Sequence, residues 1–343
     1  MAKDVTLSDI AKAVGVSNVA VHKALNDKPG VSEELRKKIK QIALEMGYIN
    51  TTVVKQTSDK AKTGNIGVII PERYYGYSTS FYGQLYEQVV KALYKNKYYG
   101  ILELLSAEDT QNLRLPKVVQ DKKVDGFIFL GQTTQEYVDF ILRQSKLPVI
   151  FLDGYLPMLT IDTIISDGFY GTYQLTNHLI QCGHRKIGFV GSVDATSSIA
   201  DRYWGYRKSL RENQIEFQPA WEIPDRSEWG KTFDPLVEDT AGLDAFVCNC
   251  DMTAHILIQN LKSLGLRIPE DISVVGFDDY LPPGIDDDLI TSYRVEMEVM
   301  AKRCVKTLLK KIHGEQYAKG IQVITGEIVY KKSVAVRELE EEN

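Results

Sequence analysis

In 343 residues this chain has only four cysteines, five histidines and three tryptophans. No apolar run approaches the roughly 18 residues that a membrane span needs. The first residues, MAKDVTLSDI, lack the apolar centre of a secretory signal. These two absences lead to the expectation of a soluble, cytoplasmic protein that makes no contact with a membrane. Cys182, Cys248, Cys250 and Cys304 fall within apolar or helical patterns, as buried thiols of a reducing compartment do. Cys248 and Cys250, with His255 nearby, could suggest zinc, but no second pair completes a tetrahedral site, so no metal is expected. Nor is there a Walker loop, a G-x-G-x-x-G turn or a G-x-S-x-G elbow. His22, His178, His184, His255 and His313 form no metal-spaced pair. A carbohydrate-converting enzyme could work with carboxylates alone, yet no nucleophile–base pair is visible. Neither an enzyme nor a cofactor is expected.

Charge is present but uneven. Residues 1–63 hold 11 Lys and Arg against 7 Asp and Glu, whereas the remainder holds 30 against 39. A basic head on an acidic body suits a module that meets phosphates, although a small excess of this size could also arise by chance.

The head has a pattern of its own. In VTLSDIAKAVGVSNVAVHKALN, Thr6 is a good N-cap with Asp9 three residues on, and Val5 and Ile10 are spaced as a hydrophobic staple. Gly15 supplies the left-handed turn that ends the first helix. Ser17 caps a second, which turns Val21, Ala24 and Leu25 inward and Asn18, Val19, His22 and Lys23 outward. Two capped helices about a glycine turn describe either a plain helical hairpin or a DNA-reading helix-turn-helix. A third helix follows, capped by Ser32 and stopped at Gly47, with Leu35, Ile39, Ile42, Ala43 and Met46 at helical spacing.

Read together, VTLSDIAKAVGVS, AVHKALN and VSEELRKKIKQIALEMGY closely resemble the headpiece of the lactose-repressor family of bacterial transcription regulators, from Val5 to Tyr48. On the exposed face Asn18 could bond an adenine edge, Lys23 guanine O6 or N7, and Val19 a thymine methyl. His22 could touch a base or a phosphate. Ser17, Thr6 and Asn26 are better placed for phosphate oxygens. Any one of these could instead be a solvated surface residue; as a set at this spacing they point to readout. The resembled family most often has serine and arginine at the positions of His22 and Lys23. Lysine keeps the charge but loses the planar fork.

Residues 49–65 are polar and rich in Thr and Lys, and read as a linker. The resemblance implies a hinge helix here whose leucine wedges into the minor groove. This chain has Thr57 at that position and no Leu between Asn50 and Asn65. A weak hinge helix is expected, with Val53, Val54 and Lys55 as its functional residues.

From Ile66 onward short apolar runs alternate with amphipathic helices: Ile66–Ile70, Ile101–Leu105, Gly126–Leu130, Val149–Leu152, Ile187–Val190, Ala245–Cys248 and Ile272–Phe277. Buried strands alternating with helices imply parallel sheets, and the length calls for two linked α/β lobes. GHRKIGFVG, Arg202-x-x-Gly205-Tyr206 and IPEDISVVGFDD match the regulatory core of the same family. That core is similar to a periplasmic sugar-binding protein, with two parallel sheets, three crossovers and a ligand in the cleft. By this resemblance residues 1–48 form the headpiece and 49–64 the hinge. One lobe then takes 65–163 with 293–320, and the other 164–291 with 321–337.

Doubly wound lobes carry ligand groups at strand carboxyl ends. Asp153, Asp251 and Asp278 each follow a strand, and Arg202 opens a helix. Three acids and a guanidinium describe a polar cleft suited to a hydroxyl-rich effector, and the family's sugar contacts map onto Asp153, Arg202 and Asp278. Asp153 and Asp278 could instead be strand-end caps, and Arg202 an inter-lobe salt bridge. The loop Glu72–Gly83 gathers Tyr74, Tyr75, Tyr77, Phe81 and Tyr82, of which Phe81 and Tyr82 are effector candidates; loop packing or a dimer contact would explain the cluster as well. The expected protein is a dimeric repressor that binds pseudo-palindromic operator DNA under control of a carbohydrate effector. A transport-type solute-binding protein and a sugar-modifying enzyme are the rival readings.

Overall fold

The structure, a computed structural model, describes residues 5–26, 28–46, 48, 62–76, 80–156, 161–226, 240, 242–285 and 289–337. Three helices open it: α1 (Leu7–Val14), α2 (Asn18–Leu25) and α3 (Glu33–Glu45). Each begins where its cap predicts. Thr6 and Asp9 form a reciprocal capping box, Ser17 accepts from the Ala20 N–H, and Ser32 accepts from the Leu35 N–H. Gly15 ends α1 at φ 78°, a left-handed conformation that favours glycine. Ile10, Val21, Ala24, Ile39 and Ala43 close a small core with Tyr48. The hinge residues Val53, Val54 and Lys55 lie outside the described residues, as does Tyr77.

The rest is two sheets. In the first, β1 (Asn65–Pro71) lies between β2 (Tyr99–Leu105) and β3 (Gly126–Leu130); β4 (Val149–Leu152), β5 (Thr163–Ser166) and β11 (Ile321–Ile324) continue beyond β3, and every pairing is parallel. The second runs β12 (Glu327–Val329), β10 (Thr291–Arg294), β9 (Ser273–Asp278), β8 (Ala245–Cys248), β6 (Ile187–Val190), β7 (Glu222–Ile223). Only β12 is antiparallel there. The connections between the strands carry the helices α4 (Glu72–Tyr75), α5 (Phe81–Lys95), α6 (Ala107–Gln111), α7 (Lys117–Gln120), α8 (Gln135–Gln144), α9 (Gly168–Gln181), α10 (Ser197–Glu212), α11 (Asp251–Ser263) and α12 (Met297–His313).

The chain passes between lobes three times, after β5, after β10 and after β11. These crossings correct the expected boundaries by a few residues: all of Thr163–Ser166 and Ile321–Ile324 belong to the first sheet, and all of Thr291–Arg294 to the second. A strand must complete its ladder before the chain can leave the sheet. β5, for example, pairs with β4 on one side and β11 on the other, and turns away only after Ser166.

In the second lobe α9 and α10 pack closely. A side chain at Gly205 would strike the Phe169 carbonyl oxygen. That close approach sets α10, and with it Arg202, against the carboxyl ends of β8 and β9.

Candidate functional site: a reading helix and an inter-lobe cleft

On α2, Ser17, Asn18, Val19 and His22 are exposed, and Val19 shows 63 % of its surface although it is apolar. Lys23 and Asn26 are half-buried. Asn26 donates its side-chain amide to the His22 carbonyl at 2.7 Å, closing the helix. Thr6 donates its hydroxyl to Asp9 at 2.6 Å, so that proton already serves the capping box. The Ser17 oxygen only accepts, which leaves its own O–H free to donate outward. A residue missed at the sequence level holds this face in place. Arg36, buried on α3, donates to the carbonyls of Lys23, Ala24, Lys28 and Val31 and so ties the end of α2 and the following turn to α3. Arginine in a helix reads as surface charge, which is why pattern alone passes over it.

The cleft is built at strand ends. Asp153 follows β4 and Asp278 ends β9, both at positive φ (60° and 107°). Tyr82, in the first turn of α5, donates its hydroxyl to Asp153 at 2.9 Å. Burial, then the charge of Asp153, pushes the Tyr82 hydroxyl pKa well up. Phe81 meets Tyr82 edge-on with centroids 5.3 Å apart, and Tyr74 lies 5.1 Å from Tyr82 on a tilted ring. From the second lobe, Arg202 donates to Asp278 at 3.2 Å and to the Asn249 carbonyl at 2.6 Å, with its guanidinium 4.0 Å from the Phe277 ring centre. Its Nε is buried with no partner. A buried donor left open is costly unless something arrives to accept from it.

Asp153 and Asp278 come from opposite lobes and share the field of Arg202. Burial raises both carboxyls above their ordinary range; Arg202 opposes this in each case. Asp278, which also feels Asp153, is pushed up to about 7. Neither carboxylate acts as a backbone cap, since both accept from side chains. The Arg202–Asp278 pair lies within the second lobe, not between the lobes. Asp251 is placed differently: its two oxygens accept from the Ser292 hydroxyl (2.7 Å) and the Tyr280 N–H (2.8 Å), which braces the segment after β9.

Beside Arg202 stands a network that the sequence did not announce. Buried Asp225 accepts from the Ser192 N–H, the Asn249 amide, the Thr253 hydroxyl and twice from Arg226. Burial alone would raise Asp225, but Arg226 and these donors hold its pKa below the ordinary value. Arg226 contributes to the field at both Tyr82 and Asp278. These residues follow β7, an edge strand of two residues with no apolar run to mark it. At one end the lobes are stitched together: Tyr155 donates its hydroxyl to Asp201 (2.8 Å) and its N–H to Ser197 (3.2 Å), and the Ser197 N–H donates to Gln132 (2.8 Å). Among the described residues no cluster could hold a metal ion, and no helix is long and apolar enough to cross a membrane.

A capped helix pair ahead of two crossed-over lobes, with facing carboxylates between them, defines a DNA-reading regulator with a receptor core. The family model of bacterial regulatory proteins of the lacI family matches residues 6–50, and that of the periplasmic binding protein-like domain matches residues 176–334. Residues 6–50 thus carry a lacI-family head and residues 176–334 a periplasmic binding protein-like core, the make-up of a DNA-binding transcription regulator rather than an enzyme. The chain is 26 % identical to the HTH-type transcriptional repressor PurR of Haemophilus influenzae, over 96 % of this chain and 98 % of that one. It is 27 % identical to the ribose operon repressor of the same organism, over 90 % of this chain and 92 % of that one. Among solved structures it resembles a transcriptional regulator CelR–cellobiose complex (TM-score 0.73, 21 % identity, 96 % of this chain and 99 % of that one). It also resembles the lac repressor dimer bound to operator and the anti-inducer ONPF (TM-score 0.66, 23 % identity, 97 % and 100 %).

Proposed function

We propose that this regulator is a homodimeric repressor of the cytoplasm whose operator affinity is set by a carbohydrate bound between the lobes. The observation that carries the reading is the facing of Tyr82 and Asp153 on one lobe with Arg202 and Asp278 on the other, where the Nε of Arg202 has no partner. Carboxylates accept from sugar hydroxyls, the open guanidinium N–H donates to a ring or hydroxyl oxygen, and the rings of Phe81, Tyr82 and Tyr74 cover apolar sugar faces. Asp251 shapes the site through the segment it braces. The names of relatives, a ribose operon repressor and a CelR–cellobiose complex, agree with a sugar.

Residues 1–48 are the reading head. Asn18, Val19, His22 and Lys23 meet base edges, and Ser17 meets phosphate, with Asn26 and Thr6 acting first as caps. Two heads on a two-fold dimer read a pseudo-palindrome. Closing the cleft moves one lobe against the other and shifts operator affinity by a coupling of about 1–3 kcal/mol.

The test joins a thermal-shift screen of sugars, nucleosides and phosphosugars to gel retention of genomic fragments. One sugar should raise the melting temperature and change retention. A hit confined to nucleosides would overturn the carbohydrate reading. Failure to retain any fragment, with or without ligands, would return the solute-binding alternative.

A further inference from the structure

Helix α3 has two faces. Ile39 and Ala43 close the reading head, whereas Lys40, only 4 % exposed, has no apolar reason to be buried. Its ammonium donates to the carbonyls of Asn112 (3.2 Å) and Leu113 (3.0 Å), in the turn after α6 of the first lobe, and sits 5.8 Å from the centre of the Phe140 ring on α8. Leu113 adopts φ 51°, a left-handed conformation unusual for leucine, in the turn that presents these two carbonyls. A buried ammonium is tolerated only where acceptors replace its water. Here the acceptors come from a lobe more than seventy residues further along the chain.

Lys40 is one of four polar links spread along the helix. Near its start Glu33 pairs with Arg114 at 3.8 Å, and Arg114 is itself held by Glu108 at 2.9 Å. Near its end Arg143 donates to the Leu44 carbonyl at 3.4 Å, and Gln144 to that of Tyr48 at 3.5 Å. Contacts from residue 33 to residue 48 fix an orientation and not merely a distance. Between them runs a groove of about 340 Å³ lined by Lys37, Lys38 and Gln41 on one side and Gln111, Asn112 and Glu136 on the other. Polar links with room for water describe a surface that can part and rejoin, unlike a dry core. The docked face is α3. The outward face of α2, with Asn18, Val19 and His22, stays exposed.

We propose that this is a dock through which the first lobe orients the reading head, so that the lobe's position sets the spacing of the two heads on DNA. The proposal rests on the two-headed DNA reading given above. A head that only trailed on a polar linker would leave Lys40 in water.

Nitrogen-15 relaxation of the full-length protein tests it. Head amides of the wild type should relax with the slow tumbling of the core. In Lys40→Met, and in Arg114→Ala with Arg143→Ala, which leaves the head sequence untouched, their correlation time should fall severalfold. Genomic fragments retained by the wild type should also be retained by both variants, but with a severalfold loss of discrimination against the same site carrying one base pair inserted between its halves. Wild-type heads that already tumble freely would overturn the dock, and so would variants that keep full spacing discrimination. If no protein retained any fragment, the DNA reading would fail, while the relaxation data would still judge the contact between α3 and the lobe.

Discussion

The hydroxyl of Tyr82 donates to Asp153 across 2.9 Å, and the Asp153 it holds lies in the field of Arg202 of the opposite lobe. One aromatic from the start of α5 thus orients the carboxylate at the end of β4. Removing the hydroxyl in Tyr82→Phe leaves the ring but frees Asp153 to rotate. Hydrogen bonds to charged groups are worth about 1.5–3 kcal/mol, so effector affinity should drop by roughly tenfold or more, read by calorimetry, with gel retention unchanged without effector.

The carboxyl of Asp278, raised to about 7, makes stability depend on pH. Its native pKa exceeds the ordinary carboxylate value, so between about pH 4 and 7 the native state binds more protons than the unfolded one. This contribution is therefore full at low pH and is lost as pH rises through that window. Urea midpoints measured across it should show a downward component that Asp278→Asn removes. An unchanged slope in that variant would place the proton elsewhere.

Arg36 predicts a selective collapse. Arg36→Met removes the one guanidinium that four carbonyls share at the junction of α2 and α3, although the Lys23 and Ala24 carbonyls keep a backbone N–H donor. Hydrogen bonds from a charged donor are worth about 1.5–3 kcal/mol, a large fraction of what a head of this size can offer. Circular dichroism should show lost helix and gel retention should vanish, while stabilisation by effector persists.

Gly205→Ala should weaken the second lobe, because its methyl would strike the Phe169 carbonyl and push α10 from α9. Overpacking of this kind costs about 1–3 kcal/mol. Since α10 carries Arg202, effector affinity should fall together with the urea midpoint.

The reading face has its own test. Asn18→Ala with Lys23→Ala removes the two side chains proposed to meet base edges, and a base-edge pair is worth about 1–3 kcal/mol of discrimination. Operator preference should collapse toward non-specific binding with effector binding intact. Unchanged discrimination would move readout to another face.

Local chemistry was legible wherever a residue's role is settled within a few positions of it. Thr6, Gly15, Ser17 and Ser32 cap and turn where side-chain type requires, and the runs that became β1, β3, β4, β6, β8 and β9 lie buried as continuous apolar strands. Short strands such as β5, β10, β11 and β12 carry no such signature. Two to four of their residues alternate or carry polar side chains, and only the partner strand reveals them. The candidate cleft divides in the same way: Asp153, Arg202 and Asp278 were visible as strand-end and helix-start chemistry, whereas Asp225, Arg226 and Tyr155 acquire meaning from neighbours far along the chain.

The order of caps, turns and apolar periods along this chain was enough to specify a helical head and two α/β lobes, because those signals act over one or two turns of backbone. Folding alone decided that Lys40 is a docked cation and not a solvated one, that Asp251 braces a loop, and that Arg202 keeps an open donor. Each of those outcomes depends on which distant carbonyl or carboxylate arrives within about 3 Å, and hydrogen bonding has no reach beyond contact.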